Sequence, residues 1–373
     1  MAEARDLLYG LGQMAWRGAL FASVLLLLAS CSPPAHRALY YWKTARAPSP
    51  EEIQIADRLG VDRLYVRMFD VEADGTASPG LPRPTGLSSR QVVPVIYIVN
   101  DALAKAGFQP AAAAASLFDR AEQWPSWKEL QLDCDWTPGT RAAYFALLDA
   151  LRSRLHAQGR LLSATIRLHQ VKYRGDTGVP PVDRGMLMAY NLLPPADAGA
   201  RSSILDTEQL ASYLASVKAY PLPLDAALPM FSWVAQWEGS RLLGLIDDAE
   251  APAQLEGPGF ARIGPGRFQA LARGSLRGRS VEKGDVLVVD DPGPAAVQEA
   301  AVMLRAALKA ETRSVALYDL DSQTVKRFTG GYDAQIEAVF GALGALGARR
   351  HRRGAARRLR PRPVGGRSRV RRQ

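Results

Sequence analysis

LQLDCDWT, residues 130–137, sets Asp133 and Asp135 two positions apart in an otherwise apolar run. Strand side chains alternate faces, so both carboxylates point one way while Cys134 and Trp136 point the other. Two like charges buried side by side are costly unless something pairs with them or uses them. Cys134 then reads as a small buried hydrophobe and Trp136 as a side chain packed under surrounding helices.

On either side of this stretch, apolar strands alternate with helical segments. Strands are expected at 38–44, 63–72, 92–100, 129–137, 161–170, 185–192, 223–237 and 314–322. Helical patterns fall at 50–60, 111–124, 140–159, 206–220, 294–308 and 333–346, the first with acids in its opening turn and glycine at its end. The fold class predicted is α/β: a (β/α)8 TIM barrel over residues 38–346, with an insertion at about 240–310 between strands 7 and 8. A doubly wound open sheet is the competing arrangement. The barrel is preferred because polar and aromatic residues recur at the C-terminal ends of the strands, where barrel enzymes keep their sites. Those ends carry Trp42 and Lys43, Arg67 and Asp70, Tyr97 and Asn100, Asp133 and Asp135, and Arg167 and His169. They continue with Tyr190 and Asn191, then Gln236, Trp237 and Glu238, and finally Asp319 and Asp321.

Three of these strands carry a resemblance. LQLDCDWT resembles the fourth-strand D-x-D-x-E ladder of the family-18 (chitinase-type) glycoside hydrolases. MLMAYNL resembles that family's sixth-strand M-x-Y-D/N motif, and the ending FSWVAQW its habit of placing a tryptophan under the sugar. The body, about 38–330, also resembles bacterial lipoproteins with sugar-hydrolase-like barrels. The resemblance implies a carbohydrate ligand. It matches Asp133 and Asp135 to the two aspartates of the ladder, and Tyr190 and Asn191 to the pair that contacts the sugar. The ladder's glutamate, the acid that protonates the glycosidic oxygen, falls on Thr137, which cannot do that work.

Glycosidases generally use two carboxyl groups, about 5–5.5 Å apart for retention and about 6.5–9.5 Å for inversion. Same-face strand neighbours lie roughly 6.6 Å apart, so Asp133 and Asp135 suit either regime. Asp135, nearer the mouth, is the better acid or base, with Asp133 and Glu238 as further catalytic candidates. Asp133 also reads as half of a buried ion pair with Arg67 or Arg167. Asp319 and Asp321 repeat the two-residue spacing and could complete a pair across the barrel. The candidate sugar contacts are Tyr190, Asn191, Trp237, Trp42, Arg67, Arg167, His169 and Asp319. No cofactor is expected. Asp133, Asp135, His169 and Asp319 could form an oxygen-rich metal site, but the four histidines show no H-x-H or H-E-x-x-H spacing, so no metal is expected either.

Composition narrows the rest. The chain has 373 residues, 47% hydrophobic and 23% charged, enough for one large barrel domain. Its net charge of +10 would suggest a nucleic-acid partner, but twelve arginines and no acid lie in 347–373, leaving −2 for the first 346 residues. No nucleic-acid partner is expected for the body, and the arginine-rich tail reads as disordered. Near the start, GALFASVLLLLAS has the length of a signal-peptide apolar core. It ends in Leu28-Ala29-Ser30-Cys31, which resembles the bacterial lipobox. Residues 1–31 are therefore expected to be a lipoprotein signal segment, with lipidation at Cys31 and a short linker at 32–37. Glu3 and Asp6 are unusual in such a segment, so Met14 is an alternative start. Ser32 in place of aspartate favours an outer-membrane anchor facing the periplasm or the cell surface. The functional expectation is a membrane-anchored, glycoside-hydrolase-like barrel that acts on or binds envelope glycan. The alternatives are a non-catalytic carbohydrate-binding protein and an envelope structural protein. No feature of the sequence sets an oligomeric state.

Overall fold

The computed structural model describes residues 35–344, apart from positions 88, 196–201, 310, 311, 313 and 332. The expected signal segment with Cys31 and the 347–373 tail lie outside the described residues.

Fifteen strands follow in chain order. The barrel strands are β1 (His36–Tyr41), β2 (Arg63–Val71), β3 (Gln91–Ile98), β4 (Glu129–Asp133), β5 (Leu161–Arg167), β6 (Arg184–Met188), β7 (Leu224–Pro229) and, after an insertion, β15 (Ser314–Tyr318). The insertion holds β8 (Trp233–Glu238), β9 (Arg241–Ile246), β10 (Phe260–Gly264), β11 (Arg267–Ala270), β12 (Gly274–Leu276), β13 (Arg279–Val281) and β14 (Val286–Asp290). Strands β1 to β7 run parallel in sequence order, and β15 closes the ring between β7 and β1. The fold is a (β/α)8 TIM barrel.

Both faces of such strands are covered, which is why β4 and β7 are buried along their whole length. The helix at 141–156 buries Tyr144, Leu147, Leu148, Leu151 and Leu155, the three-and-four spacing of one helical face. Truncating a leucine such as Leu148 there costs about 2–5 kcal/mol. At the helix 50–58, Ser49 and Glu52 form a reciprocal capping box behind Pro50. Glu52 also takes two hydrogen bonds from Arg46, at 2.6 and 2.7 Å, and one from Lys43 at 3.3 Å. A helix cap thereby holds Lys43 at the barrel mouth. Among the described residues no helix is long and apolar enough to cross a membrane.

The stretch 223–237, expected as one strand, is two. Pro229 ends β7 because it has no N–H to extend a ladder. The chain then leaves the barrel, and β8 pairs antiparallel with β14 and β9 in a five-stranded sheet ordered β10-β11-β14-β8-β9. The insertion sheet therefore begins at Trp233, not near 240. The helix at 293–307 returns to the barrel and buries Val297, Ala300, Ala301 and Leu304.

The lower barrel interior is polar. Glu129, Gln131 and Asp133 share the inward face of β4 and are buried. Tyr40 donates to Gln131 at 2.5 Å, Ser163 to Glu129 at 2.7 Å, and Arg63 reaches Ser314 at 2.8 Å and Glu129 at 3.4 Å. Arg184 grips Asp225 through two bonds of 2.8 Å. Glu129 and Asp225 each have an arginine beside them, which makes their burial tolerable.

Candidate functional site

The barrel mouth is built from residues at or just past the C-terminal strand ends. Asp70, Tyr97 and Asp133 are in register across β2, β3 and β4. Arg67 and Asp70 would ordinarily face opposite ways, but a bulge between Arg67 and Phe69 brings them together. Arg67 donates two hydrogen bonds of 2.6 Å to Asp70. Its guanidinium also lies 5.0 Å from the Trp42 ring and 5.2 Å from the Tyr97 ring.

Asp133 is 5% exposed and accepts a 2.6 Å hydrogen bond from Thr165 on β5. Neither Arg67 nor Arg167 forms the expected ion pair with it. Burial pushes its carboxyl above the usual range, and Asp135 adds to this, against Arg167 and the Thr165 hydroxyl. Asp135 lies beyond the end of β4, with its side chain 51% exposed, and takes both bonds of the Arg167 fork at 2.6 and 3.1 Å. Arg167 in turn stands 5.8 Å from the Tyr190 ring. His169 sits exposed in the short helix 168–172 that follows β5. Its imidazole is shifted down by burial and by Arg167, against the pull of Asp135. Trp136 is buried as alternation requires, its indole donating to the Thr177 carbonyl at 2.8 Å and stacking on Tyr144 at 5.3 Å. Burial likewise holds Cys134 as an un-ionised thiol.

Tyr190 is buried past the end of β6, its hydroxyl against the Met188 sulfur at 3.3 Å. Asn191 is exposed in a left-handed backbone (φ 54°), its N–H donating to the Ile204 carbonyl at 2.7 Å. Tyr190, Phe231 and Tyr318 form a triangle of rings with every separation 5.6 Å. Trp42 extends it, 5.6 Å from Tyr318 and 6.3 Å from Tyr97. Trp42, Tyr97 and Tyr318 remain partly exposed, so the mouth presents some aromatic surface to solvent. Thr137 is exposed at the foot of the helix 141–156, beside the Thr140 hydroxyl at 3.3 Å.

Three residues assigned to the seventh barrel strand belong elsewhere. Glu238 ends β8 at the tip of a hairpin, exposed and paired with Arg241. Trp237 pairs with Val286 inside the insertion sheet, and Gln236 anchors that sheet by donating to Asp285 at 2.7 Å. The structure does not gather Glu238 or Trp237 with the aspartates of β4.

The opposite side of the mouth opens into a cleft of about 420 Å³ between the barrel and the insertion. Asp319, just past β15, lines it with Asp321, Lys43, Trp42, Tyr318 and Phe231. The insertion contributes Asp247, Asp248, Glu250 and Arg277. Asp319 is partly exposed where it lines the cleft, and its carboxyl is pushed up to about 7. Burial is the main cause; Asp321 and Asp247 add to it and Lys43 opposes it. Asp321 caps the helix 322–329 and is paired with Lys43, which holds it below the usual carboxylate range despite burial. Asp247, Asp248, Phe231 and Tyr318 were not legible as site residues. The doublet Asp247-Asp248 after the apolar run of β9 was the one local signal for the insertion's share. Among the described residues no group of three or more histidine, cysteine or acidic side chains is arranged to hold a metal ion.

Solved chitinase structures share this closed eight-stranded parallel barrel. Solved structures of that class superpose on the chain. The class V chitinase of Pseudomonas fluorescens does so with a TM-score of 0.55 at 13% identity, over 80% of this chain and 99% of that one. The chitinase of Chromobacterium violaceum gives 0.52 at 14%, over 80% and 98%. The spore cortex-lytic enzyme SleL of Bacillus cereus gives 0.51 at 15%, over 81% and 75%. At these identities the likeness is one of fold. No protein-family model and no curated protein matches the sequence.

Proposed function

We propose that the protein is a lipid-anchored glycan-binding barrel, held to the membrane through Cys31 and presenting its mouth to envelope or extracellular glycan. The observation that carries this reading is the aromatic mouth. Trp42, Tyr97 and Tyr318 are partly exposed aromatics, flanked by two arginine–carboxylate forks, Arg67–Asp70 and Arg167–Asp135. Sugars are bound by such surfaces: C–H faces pack on rings while fixed polar groups meet the hydroxyls. A chitinase domain of Ostrinia furnacalis with a TM-score of 0.53 was solved with penta-N-acetylchitooctaose, which makes chitooligosaccharides the first ligands to try. Thr137 in the place of the ladder's acid, and Asp135 held by Arg167, favour binding over cleavage. A glycan array probed with the soluble form starting after Cys31 tests the reading; no retention on any glycan would sink it. Incorporation of labelled palmitate, lost in Cys31→Ala, tests the anchor.

A second reading, hydrolysis, draws on Asp319. A carboxyl that holds its proton near neutrality is suited to general-acid work, with Asp135 and Asp133 as the other carboxyl candidates. Release of reducing ends by the unmodified protein, abolished in Asp135→Asn with binding intact, would favour this reading over the first.

A further inference from the structure

The cleft beside the aromatic mouth has a charge pattern that a neutral sugar would not use. Five acids line it against two cations, and both cations are already engaged. Lys43 is paired with Glu52 and Asp321, while Arg277 is paired with Asp248 at 2.8 Å and Glu250 at 2.9 Å. Asp247 and Asp319 are left over. Among the described residues no cation lies within ion-pair distance of either, and no side chain donates a hydrogen bond to Asp319. Asp319 is partly exposed and lines the cleft, so its partly desolvated carboxyl faces whatever occupies that space. The other wall is aromatic: Trp42, Tyr318 and Phe231. At about 420 Å³, the cleft falls within the roughly 300–1,000 Å³ typical of small-ligand sites.

We infer that this cleft is a subsite for an amino sugar bearing a free ammonium group, within a partly de-N-acetylated glycan, the ammonium lying between Asp319 and Asp247 and the ring against Trp42 and Tyr318. The inference rests on the glycan-binding reading and specifies its substrate class. An ammonium answers both observations at once. It supplies the positive charge and donors that the two carboxyls lack, and it is attracted to the ring faces beside them. An N-acetylated sugar would instead place a neutral amide against two acids, leaving both unpaired. The groups facing Asp319 are Asp321 on its own segment, Asp247 from the insertion and Lys43 from the end of β1. The two acids repel its ionised form, and an arriving ammonium offsets them. A sugar that arrives already protonated should therefore expel a proton from the site.

The test uses the full chain purified in detergent, titrated calorimetrically with a glucosamine trimer, an N-acetylglucosamine trimer and a lysine trimer. At pH 7.5 the glucosamine trimer should bind at least about tenfold more tightly than the N-acetylated one, the size of one hydrogen bond to a charged group. Titrations at pH 5.5, where the free amine is already charged and Asp319 still holds its proton, in two buffers of different ionisation enthalpy should report net proton release. Asp319→Asn and, separately, Asp247→Asn should each remove the preference while binding of the N-acetylated trimer persists. That persistence shows that the variants are folded. The exposed hairpin variant Glu238→Gln should leave the preference unchanged. Equal affinities, or a preference for the N-acetylated trimer, would overturn the inference and leave the glycan reading standing. Binding of neither sugar would overturn both. A lysine trimer that binds as tightly as the glucosamine trimer would make this a site for peptide ammonium groups, against the inference.

Discussion

Arg167 holds Asp135 through its Nε and one Nη, at 2.6 and 3.1 Å, while Asp133, two residues earlier at the end of β4, turns to the Thr165 hydroxyl. The two aspartates that the strand delivers side by side therefore have different partners. One is an exposed carboxylate in a fork, the other a buried carboxyl that burial pushes toward its protonated form. The fork sits at the solvent edge of the mouth, so Asp135→Asn should cost less than about 1 kcal/mol of stability. The freed guanidinium loses its orientation, and glycan affinity should fall roughly tenfold. Urea denaturation and calorimetric titration of one preparation would measure both; a large stability loss with unchanged affinity would refute the placement.

The inner aspartate behaves in the opposite sense. Asp133→Asn keeps an acceptor for Thr165 and removes the burial cost of a charge, so stability at pH 7 should be unchanged or slightly higher. Asp133→Leu leaves the Thr165 hydroxyl buried without its acceptor and should cost about 1–3 kcal/mol. Chemical denaturation of the two variants separates the cases.

Thr137 continues the parity of Asp133 and Asp135 and is exposed at the mouth. The unmodified protein should release no reducing ends from chitooligosaccharides. If Thr137 stands where the resemblance puts the acid, Thr137→Glu should introduce slow turnover with little effect on folding, because the threonine's side-chain contact is a long one to Thr140 at 3.3 Å. A reducing-end assay decides it, and brisk turnover by the unmodified protein would move the weight to the hydrolase reading.

Asp319 makes stability depend on pH in a defined direction. Its folded-state pKa is raised to about 7, above the ordinary aspartate value. Its contribution is thus fully present below about pH 4 and is lost as pH rises toward 7, where the unfolded chain has already released the proton. Asp319→Asn should be close to neutral at pH 4 and stabilising at pH 8. Allowing for solvent at the cleft side, the gain should be roughly 2–4 kcal/mol. Urea midpoints at the two pH values give the comparison; an equal effect at both would contradict it.

Trp42 and Trp237 offer a contrast. Trp42 lies at the mouth against Arg67 and Tyr318, whereas Trp237 is a strand residue of the insertion sheet. Trp42→Ala should weaken glycan binding at least about tenfold, the order expected for an aromatic anchor. Trp237→Ala should leave affinity unchanged and lower stability instead. Affinity lost only in the second variant would move the binding surface to the insertion.

Much of the barrel was legible because its signals are local. Alternation over 63–71 and 129–133, and the three-and-four apolar spacing of 141–156, mark strand and helix from neighbouring residues alone. The stretch 223–237 misled for the same reason. Its apolar run continues across Pro229, and only strand pairing shows that β8 belongs to another sheet, carrying Trp237 and Glu238 away from the mouth. The Arg67–Asp70 fork was hidden because simple alternation puts those two residues on opposite faces, and a bulge, visible only in the register of β2 against β3, reverses that.

By itself the sequence determined the alternation of barrel strands and helices, the barrel class, and the two-residue spacing that brings Asp133 and Asp135 to the end of one strand. These follow from periodicity and from residue identity along one segment, which no distant contact alters. The tertiary structure alone decided which cation meets which carboxylate, and that Asp319 and Asp247, distant in the chain, share one cleft. Pairings of that kind depend on distances across the barrel mouth and on the docking of the insertion against it. Charge interactions act through space, and their strength is set by burial that no single stretch of sequence encodes.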